Sequence, residues 1–119
     1  MLNQVVLVGR LVWDLKVNKT ESGKKVTTLR LAIPRSYKNV DGNYETDFVD
    51  CVLWDNIASN TANYCKKGDI VGIKGRIQSR SLDDENKNHE LEVVAEKVTF
   101  LSSRSGEEKE KKEKKNNKV

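Results

Sequence analysis

The chain has 119 residues, 36% hydrophobic and 34% charged, with a formal net charge of +4. That supports one domain with a modest core under a polar surface, and no apolar run reaches the roughly 18 residues that a membrane span needs. The N-terminus, MLNQVVLVGR, lacks the basic stretch, apolar core and small-residue cleavage site of a secretion signal, so a cytoplasmic location is expected.

Strand patterns dominate residues 1–103. QVVLVGRLV (4–12) is an apolar run interrupted by Gly9, as at a bulge or sharp bend. KVTTLRLAI (25–33) alternates, with Leu29, Leu31 and Ile33 facing one way and Thr28 and Arg30 the other. TDFVDCVLW (46–54) is rich in β-formers. DIVGIKGRIQSR (69–80) puts Val71, Ile73, Gly75 and Ile77 inward, and ELEVVAEKVTFL (90–101) gives a fifth strand with Leu91, Val93 and Ala95 on one face. ESGKK and NVDGN carry glycine in turn contexts, and LDDENKN (82–88) reads as a polar loop.

NIASNTANYCKK (56–67) is the one helix candidate: Asp55 or Asn56 can cap its start, Lys66 and Lys67 suit its C-terminal dipole, and Gly68 can stop it. The order β-β-β-α-β-β, with glycines inside strands, predicts a five-stranded Greek-key barrel of the OB type, its helix between the third and fourth strands. Residues 104–119 hold seven Lys/Arg and four Glu with no branched apolar residue before Val119. Too little there can be buried to offset ordering, so a disordered charged tail is expected, with a solvated Glu/Lys helix as the rival.

Cys51 and Cys65 form no CxxC pair, and His89 is the only histidine, so both are expected as free core cysteines without metal or disulfide. His89 sits in a polar loop with no nucleophile beside it, and no GxxxxGK[ST] phosphate loop occurs. Asp83, Asp84 and Glu85 have no ligand spacing. Nothing points to an enzyme or to a cofactor.

Charge is segregated. Residues 10–38 hold eight basic and two acidic residues, 66–80 five and one, whereas 41–55 hold five acidic residues and no basic one. A positive track on part of the surface is expected. Strand parity adds detail: Phe48 and Trp54, six apart, share a face with Asp50 and Val52, while Val49, Cys51 and Leu53 form the apolar face. Tyr37, flanked by Arg35 and Lys38, is a third aromatic candidate. Opposite the core face of 69–80 stand Lys74, Arg76, Gln78 and Arg80, and Arg30 and Arg10 hold comparable polar positions. Rings beside cations suit unpaired nucleic acid, whose bases stack while Lys and Arg follow phosphates. A protein-interaction module or an RNA-binding OB domain would use the same features.

MLNQVVLVGRL, ESGKKVTTLRLAIPRSY and DFVDCVLWDNIASNTANYCKKGDIVGIKGRIQSRS together resemble the bacterial-type single-stranded DNA-binding proteins over about residues 1–101. The resemblance implies an OB fold, a homotetramer, and sequence-nonspecific, non-catalytic binding of single-stranded DNA in replication, recombination and repair, in a cytoplasmic, nucleoid-associated protein. By position it places the stacking aromatics at Tyr37, Phe48 and Trp54, with phosphate-contacting cations at Arg10, Lys67 and Arg80. Arg30, Lys74 and Arg76 are added on strand parity, Arg35 and Lys38 as neighbours of Tyr37. A further stacking position falls on Leu82, which has no ring. The acidic tip with Pro-Phe through which the family recruits replication and repair proteins has no counterpart in the closing KKNNKV.

Overall fold

A computed structural model describes residues 1–83 and 88–103; the expected tail and residues 84–87 of the polar loop lie outside the described residues. The apolar run of the N-terminus forms β1 (Val5–Leu11), followed by a two-residue strand β2 (Asn18–Lys19). Two long strands follow, β3 (Lys25–Lys38) and β4 (Tyr44–Trp54), then α1 (Asp55–Tyr64), β5 (Ile70–Ser81) and β6 (His89–Ser102). The strand order is β1-β5-β6-β4-β3-β2, and β1 also pairs with β3, which closes a five-strand barrel with β2 appended to β3. This is the expected OB fold. The helix lies between β4 and β5 once β2 is counted; so short a strand leaves no period for a sequence to show.

Closure depends on β1 changing partners. It pairs with β5 from Val5 to Arg10 and with β3 at Arg10 and Leu11. A Cβ on Gly9 would come 2.8 Å from Ile33 Cγ1 and 2.9 Å from the Ala32 carbonyl oxygen, so the crossing requires glycine. Parallel pairing of β4 with β6 at Cys51↔Val93 and Val52↔Val94 completes the ring.

The inward residues of these strands, Leu29, Leu31, Cys51, Leu53, Val71 and Ile73, are fully buried, and Ala58 of α1 joins their cluster. Burying a side chain of this size stabilises by about 1.5–3 kcal/mol. Both cysteines are free and buried, and desolvation pushes the Cys51 thiol up to about 11, with the Asp50 charge adding to it.

Three expectations need correction. Ile77 and Leu91 are exposed rather than inward, because β5 and β6 run on past the barrel as a hairpin, paired to Ser81↔His89. Asn3 fastens its base, donating to the Ile77 carbonyl and accepting from its N–H. The helix starts one residue earlier than expected, with Trp54 at the N-cap position and no side-chain cap. Asp55 has a left-handed φ of 54° and lies in the first turn, where its charge suits the dipole. Finally, Lys66 and Lys67 follow the helix rather than ending it: the Cys65 N–H caps on the Thr61 carbonyl, and Gly68 (φ 93°) turns the chain.

Candidate nucleic-acid interface

The outward row of β4 is Tyr44, Thr46, Phe48, Asp50, Val52 and Trp54, an extent of roughly 33 Å at the usual strand rise. Its aromatics are open: Tyr44 is 59% exposed, Phe48 62% and Trp54 38%. Val49, Cys51 and Leu53 turn inward, so the parity expected for Phe48 and Trp54 holds. Across the ladder stand Val26 opposite Trp54, Thr28 opposite Val52, Arg30 opposite Asp50 and Ala32 opposite Phe48. Ala32 and Val26 of β3 thus flank Phe48 and Trp54, which remain exposed.

Asp50 does not stay a bare anion on this face. Arg30 donates to both its carboxylate oxygens, from Nε at 2.6 Å and Nη2 at 3.1 Å. That hydrogen bond, with the Asp50 charge behind it, raises the Arg30 pKa, so the guanidinium is firmly cationic and locally neutralised. Behind it lies Trp13, whose ring centroid is 4.6 Å from Arg30 Cζ and whose Nε1 donates to the Thr28 carbonyl at 3.1 Å.

Beyond the barrel, β3 and β4 continue as a protruding hairpin, its turn held by the Asn39 carboxamide oxygen accepting from the Asp41 and Asn43 N–H groups. A register shift between Pro34 and Lys38 makes Lys38 the partner of Tyr44, and Lys38 Nζ sits 5.7 Å from the Tyr44 ring centroid. Glu45 and Asp47 have the opposite parity to Phe48. Arg35 binds both, with Nη1 to Glu45 at 2.6 Å and Nη2 to Asp47 at 2.9 Å, which holds the Asp47 carboxyl below its usual range. Tyr37, 64% exposed, is close enough to Arg35 to act on its charge. Tyr37 and Arg35 therefore belong to the other face of this hairpin from Phe48 and Trp54.

A second group forms where α1 returns to β5. The turn after the helix is fixed at three points: the Asp69 carboxylate accepts from the Lys66 N–H, the Leu11 carbonyl from the Gly68 N–H, and the Asp14 carboxylate from the Lys67 N–H. Arg10 Nη1 donates to the Gly68 carbonyl at 2.7 Å. Arg10 and Lys67, far apart in sequence, are thereby brought to one turn.

On β5 the polar ladder is present but networked. Arg76 donates to Gln78, Gln78 to Glu92, and Arg80 to Glu90 at 2.6 Å, while Arg76 Nε lies 3.7 Å from Glu96. The expected positive track is therefore a set of exposed ion pairs for Arg30, Arg35, Arg76 and Arg80. Parity along one strand identifies an outward arginine but not the carboxylate opposite it. Lys67 and Lys74 have no ion-pair partner among the described residues, and Lys74 stands opposite Lys97, a like-charge pair that an anion would relieve. Leu82 is exposed just after β5, its N–H donating to the Asn88 carbonyl.

Tyr44 and Trp13 were not among the sequence candidates. Tyr44 has the parity of Phe48 and was detectable once β4 was extended by two residues. Trp13 lies in an irregular segment, and only tertiary bonds bring it over Arg30.

Fold and surface define an OB barrel with rings and cations displayed on its outer strand faces, the general class of module that holds oligomeric ligands along a sheet. Within that class the chain belongs to the single-strand binding protein family, which matches it over residues 2–101. It is 45% identical to single-stranded DNA-binding protein B of Bacillus subtilis over 109 residues, covering 90% of this chain and 96% of that protein. Single-stranded DNA-binding protein 3 of Streptococcus agalactiae is 43% identical over 91% of this chain and 80% of its own length. The single-stranded DNA-binding protein of Bacillus cereus is 44% identical over 89% of this chain and 64% of its own length.

Proposed function

We propose that this chain binds single-stranded DNA without sequence preference, as a binding protein rather than an enzyme, in replication, recombination and repair. The observation that carries the reading is the outward row of β4, with Phe48 62% and Trp54 38% exposed on one strand face. Rings left open on a folded barrel cost apolar exposure, and bases stacked on them would recover about 1–3 kcal/mol each. Duplex binds poorly because its bases already stack on one another.

Tyr37 adds a platform on the other face of the hairpin, so a strand must pass around the hairpin to reach all three. Phosphates are met by Arg10 and Lys67 at the helix–β5 turn, by Lys74 on β5, and by Lys38. Arg35, Arg76 and Arg80 contribute by exchanging exposed carboxylate partners for phosphate, an exchange made easy because exposed ion pairs are weak. Leu82 offers an apolar contact at the end of β5.

The working form is a homotetramer, located in the cytoplasm with the nucleoid. Exposed Val6 and Val8 on β1, with Ile77 and Leu91 on the β5–β6 hairpin, supply apolar surface for subunit contacts. Residues 1–103 act as the binding domain, followed by the charged segment 104–119. No cofactor is required.

Titration with oligo(dT), followed by tryptophan emission at two salt concentrations and with duplex as control, tests this. Quenching by the single strand only, weakening with salt and lost with Trp54→Ala, is expected. A chain that binds neither nucleic acid would instead present these rings to a protein partner.

A further inference from the structure

Phe48 and Trp54 are separated by six residues, roughly 20 Å of strand. A base strand crossing from one to the other passes Thr28, Val52, Arg30 and Asp50. Among these only the Arg30–Asp50 pair is planar, and three features make it a surface rather than a free charge. Asp50 occupies the guanidinium edge through two hydrogen bonds of 2.6 and 3.1 Å. Arg30 Cζ lies over the Trp13 ring, 4.6 Å from its centroid, and the indole is itself fixed by its bond to the Thr28 carbonyl. The Arg30 side chain nevertheless remains 39% exposed, so it is accessible to a ligand.

We infer that Trp13, Arg30 and Asp50 form a composite stacking platform that takes a nucleotide base on the guanidinium, between Phe48 and Trp54 and nearer Phe48. This rests on the binding reading above and gives Arg30, which strand parity alone would add to the phosphate-contacting cations, the role of a base platform. Guanidinium planes serve as base platforms much as rings do. Here Asp50 occupies the guanidinium edge through two hydrogen bonds, so a phosphate would have to displace it, whereas a base on the planar face gains a cation–π contact with the pair intact. Asp50 holds the guanidinium, planar by its own delocalisation, away from the backbone of the nucleic acid, and Trp13 stands against it at 4.6 Å. The platform is held before any ligand arrives.

The test is oligo(dT) affinity of Arg30→Lys, Trp13→Leu and the double variant, with folding checked by circular dichroism. Lysine keeps the charge and can still pair with Asp50, but it has no plane. Arg30→Lys is expected to bind about tenfold more weakly with the same dependence on salt. The double variant is expected to bind no more weakly than Arg30→Lys alone, because Trp13 acts through the guanidinium. An Arg30→Lys chain that binds as tightly as the parent overturns the inference, as does full additivity of the two substitutions. Should Trp13→Leu fail to fold, Arg30→Lys, at an exposed strand position, decides alone. A parent chain that fails to bind oligo(dT) removes the underlying reading as well, an outcome distinct from a binding parent matched by Arg30→Lys.

Discussion

At Gly75 the β6 backbone leaves no room for a side chain on β5, and replacing it with alanine should unseat the pairing that builds the barrel wall. A Cβ there would sit 2.2 Å from the Val94 carbonyl oxygen and 3.2 Å from Ala95 Cα. Both obstacles are backbone, so no rotamer change can relieve them. The ladder register shifts between Lys74 and Gly75, and this bulge is what presses the two backbones together. Accommodation requires the strands to part locally. Overpacking costs about 1–3 kcal/mol, and loss of an adjacent ladder hydrogen bond adds about 1, so Gly75→Ala should lose about 2–4 kcal/mol. At about 4–8 °C per kcal/mol for a domain of this size, the midpoint falls by roughly 10–30 °C. Urea and thermal unfolding at matched protein concentration would measure it, with Gly23→Ala as comparison. Gly23 has a φ of 86° and nothing within 4 Å of the added carbon, so its cost is conformational only, about 1 kcal/mol. A Gly75→Ala chain within about 0.5 kcal/mol of the parent, an ordinary surface-substitution effect, would refute the steric reasoning.

Phe48→Ala should leave the unfolding midpoint nearly unchanged, because the ring is mostly exposed, while weakening oligo(dT) binding roughly 5- to 150-fold, the equivalent of one stacked base. Lys67→Gln with Lys74→Gln should lower the slope of log K against log salt by about 1.4, two phosphates at about 0.7 each; an unchanged slope would place both lysines away from the strand. Cys51 and Cys65, both buried, should resist iodoacetamide at pH 8 and react only on unfolding. Because burial raises the Cys51 thiol to about 11 from an ordinary 9.0, its proton is held longer in the folded chain. Stability from this group is therefore full below pH 9 and declines as pH rises through 11; a Cys51→Ala chain should show a shallower alkaline decline, and an identical one would contradict the assignment.

Most of the barrel was legible because half-buried strands write their geometry as alternation. Leu29, Leu31, Cys51, Leu53, Val71 and Ile73 were placed by parity alone, and so were the open faces of Phe48 and Trp54. Alternation does not say where a sheet ends, which is why Ile77 and Leu91 were expected inside: their pattern continues into a hairpin that has left the core. Nor does it reveal what stands across a ladder. The carboxylates of Asp50, Glu90 and Glu92 meet Arg30, Arg80 and Gln78 through register, which between β5 and β6 shifts at the bulge by Gly75. Trp13 and the turn that joins Arg10 to Lys67 depend on backbone bonds between segments distant in sequence, and no local pattern encodes those.

The division of β4 into an inward row and an outward row has a consequence for how such a chain can change over generations. Residues that keep the barrel closed and residues that would meet the ligand alternate one by one, yet they answer to different constraints. Residues 44, 46, 48, 50, 52 and 54 lie on the outward row, while the core side chains of this strand come from the partly buried Val49 and the buried Cys51 and Leu53. Ligand preference can therefore drift quickly along a frame that hardly moves, and related chains can share a fold while differing in how tightly and how selectively they hold a strand.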